Sequence, residues 1–448
     1  MNELLLLFFV FLTLIAVSLC LSKKNKLFFF ITIWFSLWCF VSCTDVCGYI
    51  VSFHYGRLFI LSNILVMLVC SGIFFLLVKN KKAQNNKSHL KTVASLKDNP
   101  FNYIILLLRV FTFLLNLFLI GIVLIKLLTK QVTIFSLRNS IFSGDSNSIF
   151  SSTISDFFFI FVKAFVFYDF IMEMVRLIAF KKRKINYLTV INIGTYCIVF
   201  LDRIDLVRAL LIIILVVVCS GLSIRKTFFK NKIFKRIIPV FLSAVILILV
   251  LRYFVSRSEQ NIFRSIFSTL FTNLSVSYVS FDRYFDLYNN GTRIVDCNMF
   301  DILFQGVKKI IEPFTNLLGF KSENYNGVLA EYMDYAIDVG KDKEMMTNAF
   351  YSMYFNFLNG GGVVQTLFVS AFFGVILGFL CKNWEKRKNP KSLGLLVFFA
   401  HFMVIGLLRW DFSYYWGWVV LFLFLLPQSE CASIQRDKMT QPLLSRYS

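Results

Sequence analysis

Long apolar runs separated by short polar connections occupy most of the chain. Several runs approach the roughly 20 residues that a helix needs to cross a bilayer. The predicted spans are residues 3–22, 27–43, 58–78, 101–125, 157–180, 185–201, 206–223, 237–255, 363–381, 393–409 and 415–427. The first run has no basic segment before it, so we interpret it as a span and not as a cleavable signal peptide. The pattern predicts an all-α polytopic membrane protein with about 11 transmembrane helices, within a range of about 10–12.

Basic residues are concentrated in alternate connections. Clusters follow the first, third, fifth, seventh and ninth predicted spans, at residues 23–26, 79–97, 181–184, 225–236 and 382–391. Because Lys and Arg mark cytoplasmic connections, the N-terminus is predicted outside and the C-terminus in the cytoplasm. The net charge of +22 therefore reports topology and does not indicate a nucleic-acid partner.

One connection is much longer than the others. Residues 256–362 are placed outside by the same rule, and their apolar positions recur at helical spacing within 262–274, 299–311 and 328–336. We therefore predict amphipathic helices that lie in the outer interface or pack over the bundle. The predicted organisation is a bundle of about eight helices at residues 1–255, a large extracytoplasmic helical loop at 256–362, C-terminal spans at 363–427 and a cytoplasmic tail at 428–448.

Composition narrows the chemistry. The chain is 58% hydrophobic and 16% charged, which excludes a water-soluble domain of this length. It has only three histidines and no CxxC motif, so a zinc site or a Ser-His-Asp triad has few residues to be built from. We predict no metal and no cofactor.

Arginines near the predicted outer ends of spans are candidate phosphate ligands. A guanidinium offers a planar fork of donors that matches phosphate oxygens, and it stays charged at any relevant pH. Several arginines around one outer cavity would suit a lipid-linked pyrophosphate. The candidates are Arg203, Arg208, Arg283 and Arg409. The alternative is that each only snorkels or pairs at a helix end, as Arg203 could do with Asp202 or Asp205.

The fifth predicted span carries Lys163, Asp169, Glu173 and Arg176. Charges inside a span are costly and face the bundle interior, where they pair or line a pathway. Arg109 of the fourth span is a predicted partner. These charges indicate either a transport or proton path or an ion network that locks helices together, and we favour the network because no second, related half is evident.

Acidic residues of the long connection are candidate general bases toward a sugar hydroxyl. The candidates are Asp282, Glu331 and Asp334. The alternative is that they form the solvated face of amphipathic helices. At the end of the same connection, Gly360, Gly361 and Gly362 permit a sharp turn of the backbone before the next span. Within that span, Gly374 and Gly378 have the small-xxx-small spacing of a close helix contact.

Two stretches carry a resemblance to a known family. Asn348-Ala349-Phe350 followed by Asn359-Gly360 resembles the end of the large loop of O-antigen or oligosaccharide repeat-unit polymerases, with Asn359 where Asp is usual. Leu201-Asp202-Arg203 before an apolar span is similar to the family's Gly-Ser-Arg turn, although Leu-Asp replaces Gly-Ser, so either Arg203 or Arg208 is the equivalent arginine. The order of spans and long loop resembles the family over most of the chain.

The resemblance implies a metal-independent membrane glycosyltransferase of a bacterial cytoplasmic membrane. It would polymerise undecaprenyl-pyrophosphate-linked oligosaccharides into O-antigen or capsule at the outer face, with a chain-length regulator and a flippase as protein partners and membrane lipids as surroundings. The related ligases use a loop histidine, which residues 256–362 lack. The main alternative is a lipid-linked oligosaccharide flippase or another polytopic transporter, and a non-catalytic membrane receptor or structural protein is a third.

Overall fold

The structure is a computed structural model. It describes residues 13, 15–17, 26–28, 30–34, 55–77, 100–129, 161–180, 185–200, 203–222, 277–291, 298–317, 337–338, 346–347, 352–406 and 415–426. The predicted span 237–255, the predicted amphipathic helices 262–274 and 328–336 and the tail 428–448 lie outside the described residues. The predicted spans 3–22 and 27–43 are described only in part.

Helices account for nearly all of the described residues. They are α1 (Tyr55–Leu77), α2 (Pro100–Leu128), α3 (Lys163–Ile178), α4 (Tyr187–Phe200), α5 (Arg203–Cys219), α6 (residues 277–289), α7 (Met299–Leu317), α8 (Met353–Arg387), α9 (Pro390–Ile405) and α10 (Tyr415–Leu425). Residues 13, 15–17, 26–28 and 30–34 are also helical. A two-residue antiparallel pair joins β1 (Ile337–Asp338) to β2 (Met346–Thr347).

Three of the described helices are long and apolar enough to cross a membrane. They are Gly56–Leu77, Tyr103–Lys126 and Met353–Arg387, and shorter apolar helices occupy Tyr187–Val199, Pro390–Ile405 and Tyr415–Leu425. Along α2, large apolar side chains such as Leu107 and Phe118 are exposed. An apolar helix with an apolar outer surface is stable in lipid and not in water. The chain is therefore an α-helical membrane protein.

Close packing of α1 against α8 confirms the predicted glycine contact. A Cβ at Gly374 would overlap the carbonyl oxygen of Met67, and a Cβ at Gly378 would lie 2.5 Å from the carbonyl oxygen of Ser71. Beside the glycines, Ser370 Oγ donates a hydrogen bond of 2.7 Å to Asn63 Oδ1. The two helices run in the same direction, and their backbones approach because the glycines have no side chain to separate them.

Helix α8 begins ten residues before the predicted span, which was set at residues 363–381. Ser352 caps its N-terminus by accepting a hydrogen bond from the backbone N–H of Phe355. The predicted turn at the glycines is confirmed at Gly362 alone, whose φ of 72° and ψ of −174° kink the helix. Gly360 stays helical, and a Cβ there would meet the side chain of Ile302, so the glycine permits the close approach of α7.

The helices share two ends. At the Trp384 end, Trp384 Nε1 donates to the carbonyl oxygen of Cys219 at 3.1 Å, and its ring lies 6.3 Å from that of Phe180. Lys382 lies 4.9 Å above the ring of Phe75 at the same end. Helices α1, α3, α5 and α8 therefore all run toward this end, and a predicted basic connection includes or follows the last turn of each.

The opposite end, here the Arg57 end, contains the first turns of α1, α3, α5, α8 and α10. Two helices of the long connection pack there. Phe281 of α6 stacks on Phe59 of α1 with ring centroids 6.0 Å apart, and Tyr284 donates to Asn359 Oδ1 at 2.6 Å. Phe304 of α7 stacks on Trp418 of α10 at 5.6 Å. The helix predicted at 299–311 is thus confirmed as α7, whereas α6 was not predicted.

Candidate functional site

The described residues include three separate groups of buried ionised side chains. One joins α1 to α6 through Arg57 and Asp282, and one joins α2 to α3 through Arg109 and Asp169. The third joins α3 to α5. Buried charges cost free energy unless they are paired and hydrogen-bonded, so the partners of each group indicate whether it is structural.

The Arg109–Asp169 group is closely hydrogen-bonded. Arg109 makes a two-point contact with Asp169, at 2.8 Å from Nε and 2.5 Å from Nη2, and the Thr189 hydroxyl donates to the same carboxylate at 2.7 Å. Asn192 Nδ2 donates to the carbonyl oxygen of Arg109 at 3.0 Å. Glu173 accepts from the backbone N–H of Asn186 at 2.8 Å. The predicted partnership of Arg109 with this span is confirmed, and its geometry locks α2, α3 and α4 together.

Asp282 connects α6 to the first turn of α1. Its Oδ1 accepts from the backbone N–H of Arg57 at 2.9 Å and its Oδ2 from Arg57 Nε at 2.8 Å. A Cβ at Gly56 would lie 2.9 Å from the Asp282 Cα, so glycine permits this approach. Burial raises the pKa of Asp282 to about 7, and the bonds from Arg57 oppose that rise. The carboxylate is 2% exposed and caps the first turn of α1. Its role as a general base toward a sugar hydroxyl stays a prediction.

The third group, here the Trp416 cluster, consists of Lys163, Asp205, Arg208, His401 and Trp416. Asp205 lies 2.8 Å from Lys163 Nζ and 3.4 Å from Arg208 Nε. Both cations lie over the Trp416 ring, Lys163 Nζ at 5.1 Å and Arg208 Cζ at 5.2 Å from its centroid. Two positive side chains from different helices thus share one carboxylate and one aromatic ring.

His401 of α9 and Trp416 of α10 are the members of the cluster that the sequence did not single out. His401 is 1% exposed, and neither ring nitrogen has a hydrogen-bond partner among the described residues. Arg208 and Lys163 act on its ring electrostatically, and the ring of the next residue, Phe402, lies 5.1 Å from that of Trp416. In the sequence His401 is surrounded by apolar residues of one span, and its only signal is that histidine is rare in this chain.

Apart from Asp282, the predicted site residues fall into three classes. Arg208 belongs to the Trp416 cluster, and Arg203 begins the same helix, although its side chain is outside the described part. Arg283 is half-buried on α6, with a buried Nε that has no hydrogen-bond partner among the described residues. Arg409, Glu331 and Asp334 lie outside the described residues.

The two cations of the Trp416 cluster are groups that can bind an anion. Ammonium and guanidinium groups donate to phosphate oxygens, and a low-dielectric surrounding strengthens those contacts. Within the residues that the structure describes, no group of three His, Cys, Asp or Glu side chains is placed to hold a metal ion.

Comparison with family models, with curated proteins and with solved structures finds no match to this chain.

Proposed function

We propose that this protein is a membrane glycosyltransferase that polymerises lipid-linked oligosaccharide repeat units. The donor would be a glycan on undecaprenyl pyrophosphate and the acceptor the sugar of a second lipid-linked unit. In this proposal the chain crosses the cytoplasmic membrane of a bacterium about 11 times, with residues 256–362 and the N-terminus outside and the C-terminus in the cytoplasm. Its product would be O-antigen or capsule.

One observation carries the proposal: Arg208 is buried at the same end of the bundle where α6 and α7 of the long connection pack. The link is short, because Trp416 touches Arg208 and Trp418, two residues later, stacks on Phe304 of α7. A lipid-linked substrate has its pyrophosphate at the membrane surface and its sugars outside the membrane. A cationic group at a bundle end beneath an extramembrane helical layer would meet both parts.

Sugar transfer passes through a cation-like transition state at the anomeric carbon, as in glycoside hydrolysis. The bond from that carbon to the pyrophosphate breaks, and the leaving diphosphate gains negative charge. Preorganised cations stabilise that charge more in the transition state than in the ground state, which lowers the barrier. The acceptor hydroxyl also loses a proton, for which Glu331, Asp334 and Asp282 remain the predicted bases.

The alternative is a flippase or another polytopic transporter. Two of the four charges that suggested it, Asp169 and Glu173, have donors on α2 and on or next to α4, which is the arrangement of a helix-locking network. The position of α6 and α7 over the Arg57 end also favours a surface reaction over a through-membrane path.

The test is the ladder of surface glycan, separated by gel, in cells with Arg208→Lys or Arg208→Ala at matched protein levels. Arg203→Ala, Arg283→Ala and Arg409→Ala are examined in parallel, and Arg387→Ala is the control because Arg387 is exposed at the Trp384 end. We expect Arg208→Ala to reduce the ladder to single units displayed outside, with the control unchanged. A deletion strain with an intact ladder would refute the proposal. Unpolymerised unit confined to the cytoplasmic side would instead support the transporter.

A further inference from the structure

The Trp416 cluster brings together two cations and an imidazole that come from distant parts of the chain. Lys163 begins α3, Arg208 lies in the second turn of α5, and His401 lies in the last turns of α9. From the geometry we propose that Lys163 and His401, together with Arg208, form one buried binding site for a diphosphate group. The diphosphate identity rests on the proposed function, whereas the anion site itself does not.

The first argument is the shared position of the two cations. Lys163 Nζ and Arg208 Cζ lie at nearly equal distances from the Trp416 ring, 5.1 and 5.2 Å, and Asp205 contacts both side chains. One carboxylate that contacts two cations already occupies the position of an anionic bridge. A diphosphate carries several such oxygens, so it is the kind of anion that can contact an ammonium and a guanidinium group at the same time.

The second argument is independent of ion pairing and comes from His401. An imidazole that is 1% exposed ordinarily has hydrogen-bond partners, because burying an unsatisfied polar group costs free energy. Neither nitrogen of His401 has a partner among the described residues. A neutral imidazole has one N–H donor, and a phosphate oxygen bound next to Lys163 and Arg208 would accept it.

The third argument is the aromatic environment of the charged side chains. The Trp416 ring lies 5.1 Å from Phe402 and 5.4 Å from Phe167, so aromatic side chains surround the polar members of the cluster. A surrounding of this kind lowers the local dielectric and strengthens contacts to an anion. It also raises the free-energy cost of a buried imidazole that has no hydrogen-bond partner. An ion pair that only joined helices would not need such an imidazole.

The test measures binding by the full chain purified in detergent, with inorganic pyrophosphate and farnesyl pyrophosphate as probes and farnesol as the phosphate-free comparison. Lys163→Met should weaken binding of the phosphate probes by about 30-fold or more, since it removes a buried, hydrogen-bonding charge. Lys163→Arg should retain most of the affinity. Lys382→Met is the matched control, because Lys382 also lies over an aromatic ring, Phe75, and beside a carboxylate, Glu385 at 3.9 Å. We expect that control to bind within about twofold of the unchanged protein, as for a residue outside the site.

His401→Leu separates a ligand from a structural residue. If His401 serves a bound anion, the leucine variant keeps its resistance to unfolding, because no described hydrogen bond is lost, and its phosphate affinity falls about 10-fold. A structural histidine gives the reverse, with lower stability and unchanged affinity. That result would overturn the inference, even if Lys163→Met failed to fold.

The glycan ladder distinguishes this inference from the proposed function. Loss of phosphate binding in Lys163→Met with an intact ladder would support the anion site but separate it from polymerisation, and a deletion strain with an intact ladder would reject the polymerase itself. Loss of the ladder with unchanged phosphate binding would support the polymerase and overturn Lys163 as a ligand of the anion. Binding of farnesyl pyrophosphate without inorganic pyrophosphate would identify the lipid-linked form as ligand, and binding of both would identify the diphosphate alone. Absence of binding to either probe by the unchanged protein would overturn the site.

Discussion

The Arg109–Asp169 pair gives a quantitative prediction about how the bundle is held together. Replacing Asp169 with Leu removes a carboxylate that accepts two hydrogen bonds from Arg109 and one from Thr189. Arg109 then remains as a charge whose side chain is only 11% exposed. Breaking a buried pair by removing one partner costs about 3–5 kcal/mol, because the other charge is left uncompensated.

The size of the effect can be divided among the three contacts. Thr189→Val removes one neutral donor and should cost about 0.6 kcal/mol and at most about 1.7 kcal/mol, the range for hydrogen bonds between membrane helices. Arg109→Leu should lower the free energy of unfolding less than Asp169→Leu does if water reaches the Asp169 carboxylate that is left without its partner. The double variant, with Leu at both positions, leaves no buried charge in the pair. It should be more stable than Asp169→Leu alone, with a coupling energy of about 2 kcal/mol or more.

The assay is unfolding of the purified full chain in mixed micelles with rising SDS fraction, followed by circular dichroism. Additive losses in the double variant, or a single variant Asp169→Leu within about 0.5 kcal/mol of the unchanged protein, would refute the locking role. The double variant should also keep an intact glycan ladder. A recovered stability with a lost ladder would show instead that these charges take part in function.

Three further predictions concern packing and pH. Gly374→Ala should lower the free energy of unfolding by about 1–3 kcal/mol, because its Cβ meets the backbone of Met67. Gly121→Ala has open space around it and should be neutral or stabilising by up to about 1 kcal/mol. Thermal unfolding in detergent compares the two variants. Gly362→Ala should lower the free energy of unfolding by about 1–3 kcal/mol, since φ is 72° and the hydroxyl of Tyr288 lies 2.7 Å from the added Cβ. The same assay tests this variant, and an unchanged unfolding midpoint would contradict a strained backbone at the kink. Burial raises the pKa of Asp282 from 3.8 to about 7, so the folded state binds the proton more tightly than the unfolded state does. The stabilisation of the fold by protonated Asp282 is fully present below about pH 4 and is lost as the pH rises through about 7. Asp282→Asn should therefore flatten the fall in stability between pH 4 and 7, and an unchanged slope in unfolding curves would count against it.

Local patterns in the sequence predicted much of the architecture. Apolar runs located α1, α2 and most of α8, and glycine spacing located the face of α8 that meets another helix, although not its partner α1. Charge inside an apolar run predicted that Arg109 pairs with the fifth span. Each of these inferences uses a period or a composition within one segment, where the physical rule is local.

The Trp416 cluster was not predictable in the same way. The sequence grouped Lys163 with Asp169 and Glu173 because they share a span, but Lys163 pairs with Asp205 of α5. The sequence instead suggests Asp205 as a partner of Arg203. Which charge meets which depends on the rotation and depth of each helix, and these are set by packing across the bundle. The same reason hid Arg57 as the partner of Asp282, which lies 225 positions away.

The contact between α1 and α8 has a consequence for the order in which the protein is assembled. Asn63 and Ser370 are 307 positions apart in the chain. At about 5–20 residues per second, a ribosome needs roughly 15–60 s to make the chain between them. During that interval α1 has left the ribosome but lacks its glycine-lined neighbour, so Asn63 and the carbonyl groups of Met67 and Ser71 face lipid or an insertion factor. Helix α1 therefore completes its packing only after α8 has been made, and cells that slow translation should accumulate an intermediate in which α1 is accessible to proteolysis or cross-linking.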